Sequence, residues 1–397
     1  MTDRHASLTV WEDRFDWEPA DPFPYADVHA AAAPTTLWAT RKWCSPVVES
    51  AFAATELIPS WNASTPTGSW VLVEARVRSG LGWTPWLTFA RWCDRLPSEG
   101  GAITRTTVEG QTTDAGHVAA DAFVASPAHP FSAWQVRLTG LTAESAGPWP
   151  EFTLVAASVS AMVVDRDEGV SPAGPGDGIE VVVPPHSQRL HIGSFPEWDG
   201  GGASWCSPTS TTMLLEHWGA APGADDVAWV GQRSESAHGA ATANVTDVTD
   251  AAVVHAVSRV FDQSYGGAGN WAFNVAYAAT RGLRAYVTRL RDLREAEAFV
   301  AAGIPLVVSV SFTSEQLDGA GYDTDGHLLT IIGFTAEGDV ISNDPNSHRI
   351  AGNDQVRAVY RRDQFEGAWL GHDGGLTYVL HPRDVPLPPP PSEANWA

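Results

Sequence analysis

The first part of the chain consists of short segments in which apolar and polar residues alternate. From Val71 to Val77 the odd positions are apolar, a period close to two that is typical of a half-buried β-strand. Gly, Pro, Ser and Asp separate six segments of this kind: Trp70–Val77, Trp86–Trp92, Ile103–Val108, Val118–Val124, Trp134–Leu138 and Phe152–Val164. Long helical periodicity is absent. Residues 1–164 are therefore predicted to form an all-β sandwich that serves as an accessory domain.

The composition changes abruptly after the apolar segment that ends at Val164. Residues 165–168 are all charged, and residues 171–178 are rich in Gly and Pro. This pattern is typical of a linker, which we assign to residues 165–180. Because the linker has no apolar periodicity that could bury it, a chain beginning near Ile179 is expected to fold alone.

The second part of the chain mixes helical and strand patterns. Helical periodicity is found in Thr209–Trp218, Asp250–Phe261, Trp271–Thr280 and Leu293–Ala302. Strands are predicted for Ile304–Phe312, Leu328–Phe334, Val340–Ser342, Val356–Tyr360 and Leu376–Leu380. Residues 181–382 are thus predicted to form an α+β domain with a mostly antiparallel sheet. A Pro-rich tail, residues 383–397, is expected to be a solvated end without a partner, with an SH3-like partner as the alternative.

Charge and composition narrow the possible partners. The 397 residues include 47 acidic and 24 basic ones, a net charge of −23 that repels phosphate and makes nucleic acid an unexpected partner. No apolar run reaches the roughly 20 residues that span a bilayer. The first 20 residues contain no apolar core of a signal peptide, so a cytoplasmic location is expected, with non-classical export as the alternative.

Candidate catalytic residues follow one another in the second domain. Cys206 directly precedes an apolar helical stripe, and Pro208 fits the first helical turn, where the helix dipole lowers a thiol pKa. His327 opens an apolar strand, and the chain turns and returns to Asp344. On such a hairpin the two side chains meet only if the turn is asymmetric or a β-bulge is present. Asn343 is an alternative to Asp344, because an amide or a carboxylate can orient an imidazole.

A second copy of the tetrapeptide Trp-Cys-Ser-Pro surrounds Cys44 and provides a comparison. No strand that begins with His and returns to Asp follows Cys44 in the first domain. Cys44 and Cys93 are therefore interpreted as structural thiols, with a disulfide between them as the less favoured alternative.

At this level of detail the region Val181–Leu380 resembles a known enzyme family. It is similar to papain-like cysteine peptidases of the double-glycine, bacteriocin-processing type, cysteine peptidase family thirty-nine. The resemblance rests on the motifs Pro184-Pro185-His186-Ser187-Gln188, the helix that begins near Cys206, Gly326-His327 and Asn343-Asp344-Pro345.

The resemblance implies a role for each of four residues. Cys206 would attack the substrate and His327 would act as the base. Asp344 would orient His327, and Gln188 would help to form the oxyanion hole. Two features depart from the family pattern: Ser207 stands where the family usually has Gly, and a Gly-rich insertion separates Gln188 from Cys206.

We therefore predict a cysteine peptidase that acts on a peptide or protein substrate without a metal or organic cofactor. One alternative is acyl transfer to an amine by the same residues. Another is a non-catalytic protein that binds glycan or peptide through Trp83, Trp86 and Trp92 of the first domain. A buried Cys206 distant from His327 would favour that binding protein.

Overall fold

The structure, a computed structural model, describes residues 4–30, 34–143, 147–161, 170–237 and 248–397. An N-terminal region of β-strands is followed by a region in which helices pack on a sheet. This order agrees with the predicted all-β domain and α+β domain. Among the described helices, none has the length and apolar character needed to cross a membrane.

The N-terminal region contains two antiparallel sheets. Its strands are β1 (His5–Glu12), β2 (Glu18–Tyr25), β3 (Thr36–Cys44), β4 (Val48–Ala54), β5 (Glu56–Ser64), β6 (Ser69–Ser79), β7 (Gly82–Trp83), β8 (Leu87–Trp92), β9 (Thr112–Thr113), β10 (Gly116–Ala119), β11 (Ala122–Ala125), β12 (Phe131–Thr142) and β13 (Glu151–Ala161). One sheet has the order β1-β13-β5-β11-β10-β9. The other has the order β2-β3-β12-β6-β7, with β4 also paired to β12 and β8 to β6.

Apolar side chains from both sheets pack into a common core. Trp61 of β5 and Trp92 of β8 meet edge to face, with their ring centroids 6.3 Å apart. On β6 the odd-numbered residues from Val71 to Val77 are buried in this core, whereas Arg76 and Arg78 are partly exposed. The alternation in the sequence thus corresponds to the two faces of one strand.

The tryptophans considered as a binding platform do not form one exposed surface. Trp92 is completely buried. Trp83 and Trp86 are partly exposed, and the guanidinium of Arg76 lies over both rings at 4.7 and 4.6 Å from their centroids. This arrangement lends no support to a glycan contact.

The described part of the second region contains six α-helices and one antiparallel sheet. The helices are α1 (Cys206–His217), α2 (Ala224–Ala237), α3 (Val248–Val260), α4 (Trp271–Thr280), α5 (Leu293–Ala301) and α6 (Arg362–Asp373). The strands are β14 (Arg284–Arg289), β15 (Leu306–Phe312), β16 (Thr324–Phe334), β17 (Val340–Asn343), β18 (Arg357–Tyr360) and β19 (Leu376–His381). The sheet order is β14-β19-β15-β16-β17-β18.

Helices cover both faces of this sheet. Val307 and Leu328 belong to the apolar cluster that includes α1, α3 and α4, whereas their neighbours Val308 and Leu329 pack with α5 and α6. Successive residues of a strand point to opposite faces, so strands covered on both sides are apolar throughout. This explains why β15 and the second half of β16 are mostly apolar and show no strict alternation of apolar and polar residues in the sequence.

The N-terminal region covers the edge of strand β14 that has no neighbouring strand in the sheet. The side chain of Asn62 donates to the Ala285 carbonyl (2.6 Å) and accepts from the Ala285 N–H (3.1 Å). The hydroxyl of Ser60 accepts from the N–H of Val287 at 3.3 Å. An edge strand carries unpaired backbone groups, and here side chains of β5 satisfy several of them.

The apolar core is continuous between the two regions. Trp61 of β5 packs edge to face on Phe273 of α4, with ring centroids 6.1 Å apart, and both residues belong to the same buried cluster. The side chain of Arg289 also forms an ion pair with Glu56. Apolar burial, side-chain hydrogen bonds to the backbone and an ion pair therefore join the two regions into one packed unit.

The predicted linker makes several contacts with the second region in its described part, residues 170–180. Residues 162–169 lie outside the described residues. The guanidinium of Arg362 donates to the carbonyls of Ser171 (2.8 Å) and Pro172 (3.0 Å), and the Ile179 carbonyl accepts from the N–H of Phe334 (2.8 Å), the last residue of β16. Polar backbone pairing, which the absence of apolar periodicity does not exclude, holds this segment along β16.

The predicted solvated tail is packed instead, which corrects that expectation. Trp396 is buried, packs on Phe299 of α5 and donates its indole N–H to the Pro388 carbonyl (2.9 Å). Asn395 is completely buried and donates to the Arg289 carbonyl of β14 at 2.8 Å. The indole and the amide after the proline run therefore anchor the tail.

We expect a chain beginning at Ile179 to be far less stable than the full chain, contrary to the expectation from composition. It would expose Phe273 and leave the edge of β14 without Asn62, and each buried polar group left unpaired costs about 1–3 kcal/mol. Solubility and urea unfolding of the chain with and without residues 1–178 test this. A soluble truncated chain that unfolds at the same urea concentration as the full chain would contradict it.

Replacing Trp396 by Ala should lower the free energy of unfolding by about 3–5 kcal/mol, because a buried indole is removed from a packed site. Urea unfolding followed by fluorescence measures the change. Ser392→Ala on the same tail is the matched control, because Ser392 is exposed. Equal effects of the two substitutions would show that the tail is not packed in solution.

Candidate active site

Cys206 is the first residue of α1. Pro208 lies in the first turn, where a missing N–H leaves no helical hydrogen bond broken. The preceding Trp205 is completely buried, and its indole N–H donates to the Trp198 carbonyl at 2.8 Å. The thiol is therefore fixed at the positive end of a helix, which favours its ionised form.

Two serines in α1 fix the helix against the sheet. The hydroxyl of Ser207 shares a hydrogen bond of 3.0 Å with the hydroxyl of Tyr378 on β19. The hydroxyl of Ser210 donates to the Leu328 carbonyl at 3.1 Å. Ser207 thus has a buried partner at the position where the family usually has Gly, and Ser210 ties α1 to the residue that follows His327.

His327 and Asp344 meet across the hairpin of β16 and β17. Nε2 of His327 lies 2.8 Å from Oδ1 of Asp344, the residue directly after β17. The strand register shifts between Ile331 and Gly333, a β-bulge or irregularity of the kind expected from the unequal arms of the hairpin. The extra residue brings the two side chains side by side.

The carboxylate of Asp344 is completely buried and accepts hydrogen bonds on both oxygens. The hydroxyls of Tyr322 (2.8 Å) and Tyr360 (2.7 Å) donate to Oδ2, and the N–H of Asn346 donates to Oδ1 (2.9 Å). Burial alone raises the pKa of Asp344, but the charge and hydrogen bond of His327 and the hydrogen bonds from Tyr360 and Asn346 hold it below its ordinary value. Asp344 is therefore ionised at neutral pH.

Asn343, the alternative orienting residue, has other partners. Its side-chain N–H donates to the Val183 carbonyl at 3.1 Å. Its backbone pairs with the hydroxyl of Thr330. Asp344, and not Asn343, contacts His327.

Cys206 and His327 both line the cleft and interact with each other. Burial raises the pKa of the Cys206 thiol, but the hydrogen bond and charge of His327 and the N–H groups of Leu328 and Ser207 lower it below its ordinary value. Burial lowers the pKa of His327, but Asp344 and Cys206 raise it to about 10. These opposite shifts favour a thiolate paired with an imidazolium.

Gln188 lies in the same cleft as Cys206 and His327. It begins a short 3-10 helix, its N–H donates to the Pro345 carbonyl (3.0 Å), and its side-chain Nε2 donates to the Ala203 carbonyl (2.8 Å). An amide nitrogen carries two hydrogens, so one remains for another acceptor. Gln188 is thus placed beside the Asp344 turn despite the long insertion before Cys206.

The insertion folds back on the segment that carries Gln188. A Cβ on Gly202 would lie 2.2 Å from the Gln188 carbonyl oxygen and 2.8 Å from the His191 side chain. Only glycine allows this close approach. The insertion therefore lines the cleft and leaves Gln188 in place.

His186 fixes the Gln188 segment to two helices. Its Nε2 lies 2.9 Å from Oε2 of Glu216 on α1, and its Nδ1 lies 3.7 Å from Oδ1 of Asp250 on α3. Burial lowers the pKa of His186, but the two carboxylates raise it to about 9. Among the described residues, no group of three or more His, Cys, Asp and Glu could hold a metal ion. His186 is accounted for by ion pairing.

The cleft has a volume of about 540 Å³ and polar walls. Gln188, residues of the insertion and the start of β16 all line it. Further lining residues are Arg189, Asp199, Ala203, Ser204, Tyr265, Gly269, Trp271, Ser309, Asp323, Arg349, His372 and Asp373. The cleft is large enough for a short peptide segment.

The other two cysteines lack these surroundings. Cys44 ends strand β3, is exposed, and has a pKa raised by partial burial. Cys93 is buried, and both thiols are free, so the alternative of a disulfide is wrong in this structure. The shared tetrapeptide ends a strand at Cys44 and begins a helix at Cys206.

Several residues of the site were not predicted. Tyr322 and Tyr360 contact Asp344 from outside the His327 hairpin. Tyr322 follows a Gly-rich turn without periodicity, so its sequence surroundings carry no signal. Tyr360 ends the predicted strand Val356–Tyr360, which pairs with β17, and that pairing is the signal that could have placed it near Asp344.

Both regions match models of one peptidase family. A model described as the peptidase C39 N-terminal domain matches residues 7–160, and a model described as the peptidase C39-like family matches residues 181–374. No curated protein matches the sequence. A crystal structure from Bacillus anthracis described as a C39-like peptidase is 17% identical, covering 51% of this chain and 98% of its own, with a TM-score of 0.28, too low to inform on the fold. The family matches cover most of the sequence, and the chain belongs to the C39-like cysteine peptidases.

Proposed function

We propose that the protein is an active cysteine peptidase that hydrolyses peptide bonds through a thioester intermediate. The observation that carries this proposal is the continuous series of contacts from Cys206 to His327 to Asp344 in a cleft. A nucleophile, a base and an orienting group are the parts that thiol catalysis requires. The second domain has the papain-like arrangement in this proposal, with the nucleophile on a helix and the base on a facing strand.

In the proposed reaction the Cys206 thiolate attacks the carbonyl carbon of the scissile peptide bond. The resulting oxyanion accepts hydrogen bonds from the Cys206 backbone N–H and from the free side-chain hydrogen of Gln188. The imidazolium of His327 then gives its proton to the leaving nitrogen, the C–N bond breaks, and a thioester remains. Water attacks the thioester, His327 takes up its proton, and the acid and the Cys206 thiolate are released.

Asp344 would act by orienting His327. Two tyrosine hydroxyls occupy Oδ2, so Oδ1 is left to face Nε2 of His327. Nδ1 of the ring is then available to Cys206. A fixed carboxylate also stabilises the imidazolium that exists before attack.

Cys206 should react with iodoacetamide at pH 6 at least about tenfold faster than Cys44, because its pKa is lowered while that of Cys44 is raised. Mass spectrometry of the native protein measures both rates in the same sample. The advantage of Cys206 should persist as pH rises, until ordinary thiols ionise and His327 loses its proton near pH 10. In His327→Gln the Cys206 rate should rise only at higher pH. Equal rates for Cys206 and Cys44 at pH 6 would refute the ion pair.

Cys206→Ala should reduce hydrolysis of fluorescently labelled casein by about 10³-fold or more, because the covalent step is lost. Cys44→Ala is the matched control, because it changes the cysteine of the same tetrapeptide outside the cleft. It should retain the wild-type rate. Residual activity of Cys206→Ala close to wild type would exclude Cys206 as the nucleophile.

A further inference from the structure

One wall of the cleft is a glycine-rich loop, residues 262–270, which we call the cleft loop. It connects α3 to α4, and its Tyr265 and Gly269 line the cleft together with Trp271, the first residue of α4. Tyr265 is 53% exposed. An exposed aromatic ring at the edge of a cleft offers a surface for an apolar side chain.

Glycine in the cleft loop makes room for the tyrosine ring. A Cβ on Gly267 would lie 2.7 Å from Cε1 of Tyr265, closer than side chains tolerate. A Cβ on Gly269 would lie 3.6 Å from the Tyr265 hydroxyl. The ring therefore lies across its own loop.

Asp262 closes the cleft loop on itself. It is completely buried, and its Oδ1 accepts from the N–H groups of Ser264 (3.2 Å) and Tyr265 (3.3 Å). Its Oδ2 accepts from the side chain of Asn270 at the other end of the loop (3.0 Å). The conformation of Tyr265 thus depends on the position of this carboxylate.

The N-terminal domain holds the same carboxylate. The N–H of Thr107 donates to Oδ1 of Asp262 at 3.0 Å. The hydroxyl of Thr106 donates to the hydroxyl of Ser264 (2.7 Å), and the carbonyl of Arg105 accepts from the N–H of Gln263 (3.2 Å). Three successive residues of the first domain therefore bind three successive residues of the cleft loop.

A second support from the N-terminal domain lies at the start of α4. Asp121, in the turn between β10 and β11, is buried, and its Oδ2 accepts from the N–H of Trp271 and from that of Ala272 (3.3 Å). The side chain of Asn270 accepts from the next free N–H, that of Phe273, at 2.9 Å. First-turn N–H groups have no partner within a helix, so a residue of the other domain completes the cap.

We infer that the N-terminal domain shapes the substrate-binding wall of the peptidase cleft. Asp121, Thr106 and Thr107 are positioning residues, and Tyr265 and Trp271 bind a peptide segment whose apolar side chain packs on the ring of Tyr265. This inference rests on the proposed function, because it assigns the cleft to a peptide. The first domain would then affect substrate binding by positioning the cleft loop, without contacting the substrate itself.

Two thiol reagents distinguish an effect on substrate binding at the cleft loop from an effect on the reactivity of Cys206. The rate at which iodoacetamide alkylates Cys206 depends on the reactivity of the thiol, whereas an epoxysuccinyl-leucine amide also needs a binding surface for its leucine side chain. Tyr265→Ala should raise the concentration for half-maximal inactivation by the epoxide about tenfold, the value of one lost aromatic contact, and leave the iodoacetamide rate unchanged. Tyr265→Phe should behave as wild type.

Substitutions in the N-terminal domain test whether its contacts position the cleft loop and the start of α4. Asp121→Ala should weaken the epoxide as Tyr265→Ala does, whereas Asp121→Asn keeps an oxygen acceptor for both N–H groups and should restore binding. Asn62→Ala is the matched control: it also removes two hydrogen bonds between the domains, but at β14 and away from the cleft loop. It should lower stability and leave the epoxide unaffected.

The outcomes distinguish this inference from the proposed function. Wild-type protein labelled at Cys206 by both reagents, with the epoxide unaffected by Tyr265→Ala and by Asp121→Ala, overturns the inference alone. The same holds if Asn62→Ala weakens the epoxide as much as Asp121→Ala. Wild-type Cys206 that reacts no faster than Cys44 with either reagent overturns both. If Asp121→Ala does not fold, the Tyr265→Ala variant is decisive, because Tyr265 is exposed: an unchanged half-maximal epoxide concentration overturns the inference.

Discussion

The unpaired edge of strand β14 is the constraint on which the two-domain arrangement depends. Its outward-facing backbone groups pair with side chains from elsewhere: Asn62 with Ala285, Ser60 with Val287, and Asn395 with Arg289. Buried backbone groups without partners cost more than most single contacts contribute, and an open edge invites aggregation. The sheet of the peptidase domain is therefore completed by the first domain and by the tail.

The same association brings the first domain to the cleft. Once β5 is fixed against β14 and α4, the turn that carries Asp121 reaches the first N–H groups of α4. The segment from Arg105 to Thr107 reaches the cleft loop at a second point. Packing that stabilises the sheet edge and contacts that shape the cleft are thus consequences of one interface.

The periodicity of apolar residues predicted those helices and strands that are determined by short-range sequence. The helices of the second domain that were predicted begin within three residues of their observed starts, and the His327 hairpin has the expected irregularity. Two strand predictions were wrong: residues 118–124 form parts of β10 and β11 around a turn, and residues 103–108 form no strand apart from one bridge at Thr106. Residues 118–124 contact α4, and residues 103–108 contact the cleft loop, both from the other domain. The tail also packs on partners that are distant in the sequence. Contacts of this kind leave no short-range periodicity, so the sequence pattern could not predict them.

The orientation of His327 depends on the hydrogen bonds that the carboxylate of Asp344 accepts from other residues. Burial and the negative charge of Asp344 keep the pKa of Tyr322 and Tyr360 well above ordinary values, so both hydroxyls stay protonated and can only donate to this carboxylate. A buried carboxylate that lost these donors would bear an uncompensated desolvation cost, and its pKa would rise. The imidazolium of His327 would then lose its main electrostatic partner, and the Cys206 thiolate would lose its own. In the proposed mechanism, Tyr322 and Tyr360 therefore support the ionisation of the Cys206 thiol through Asp344 and His327, although neither tyrosine lines the cleft.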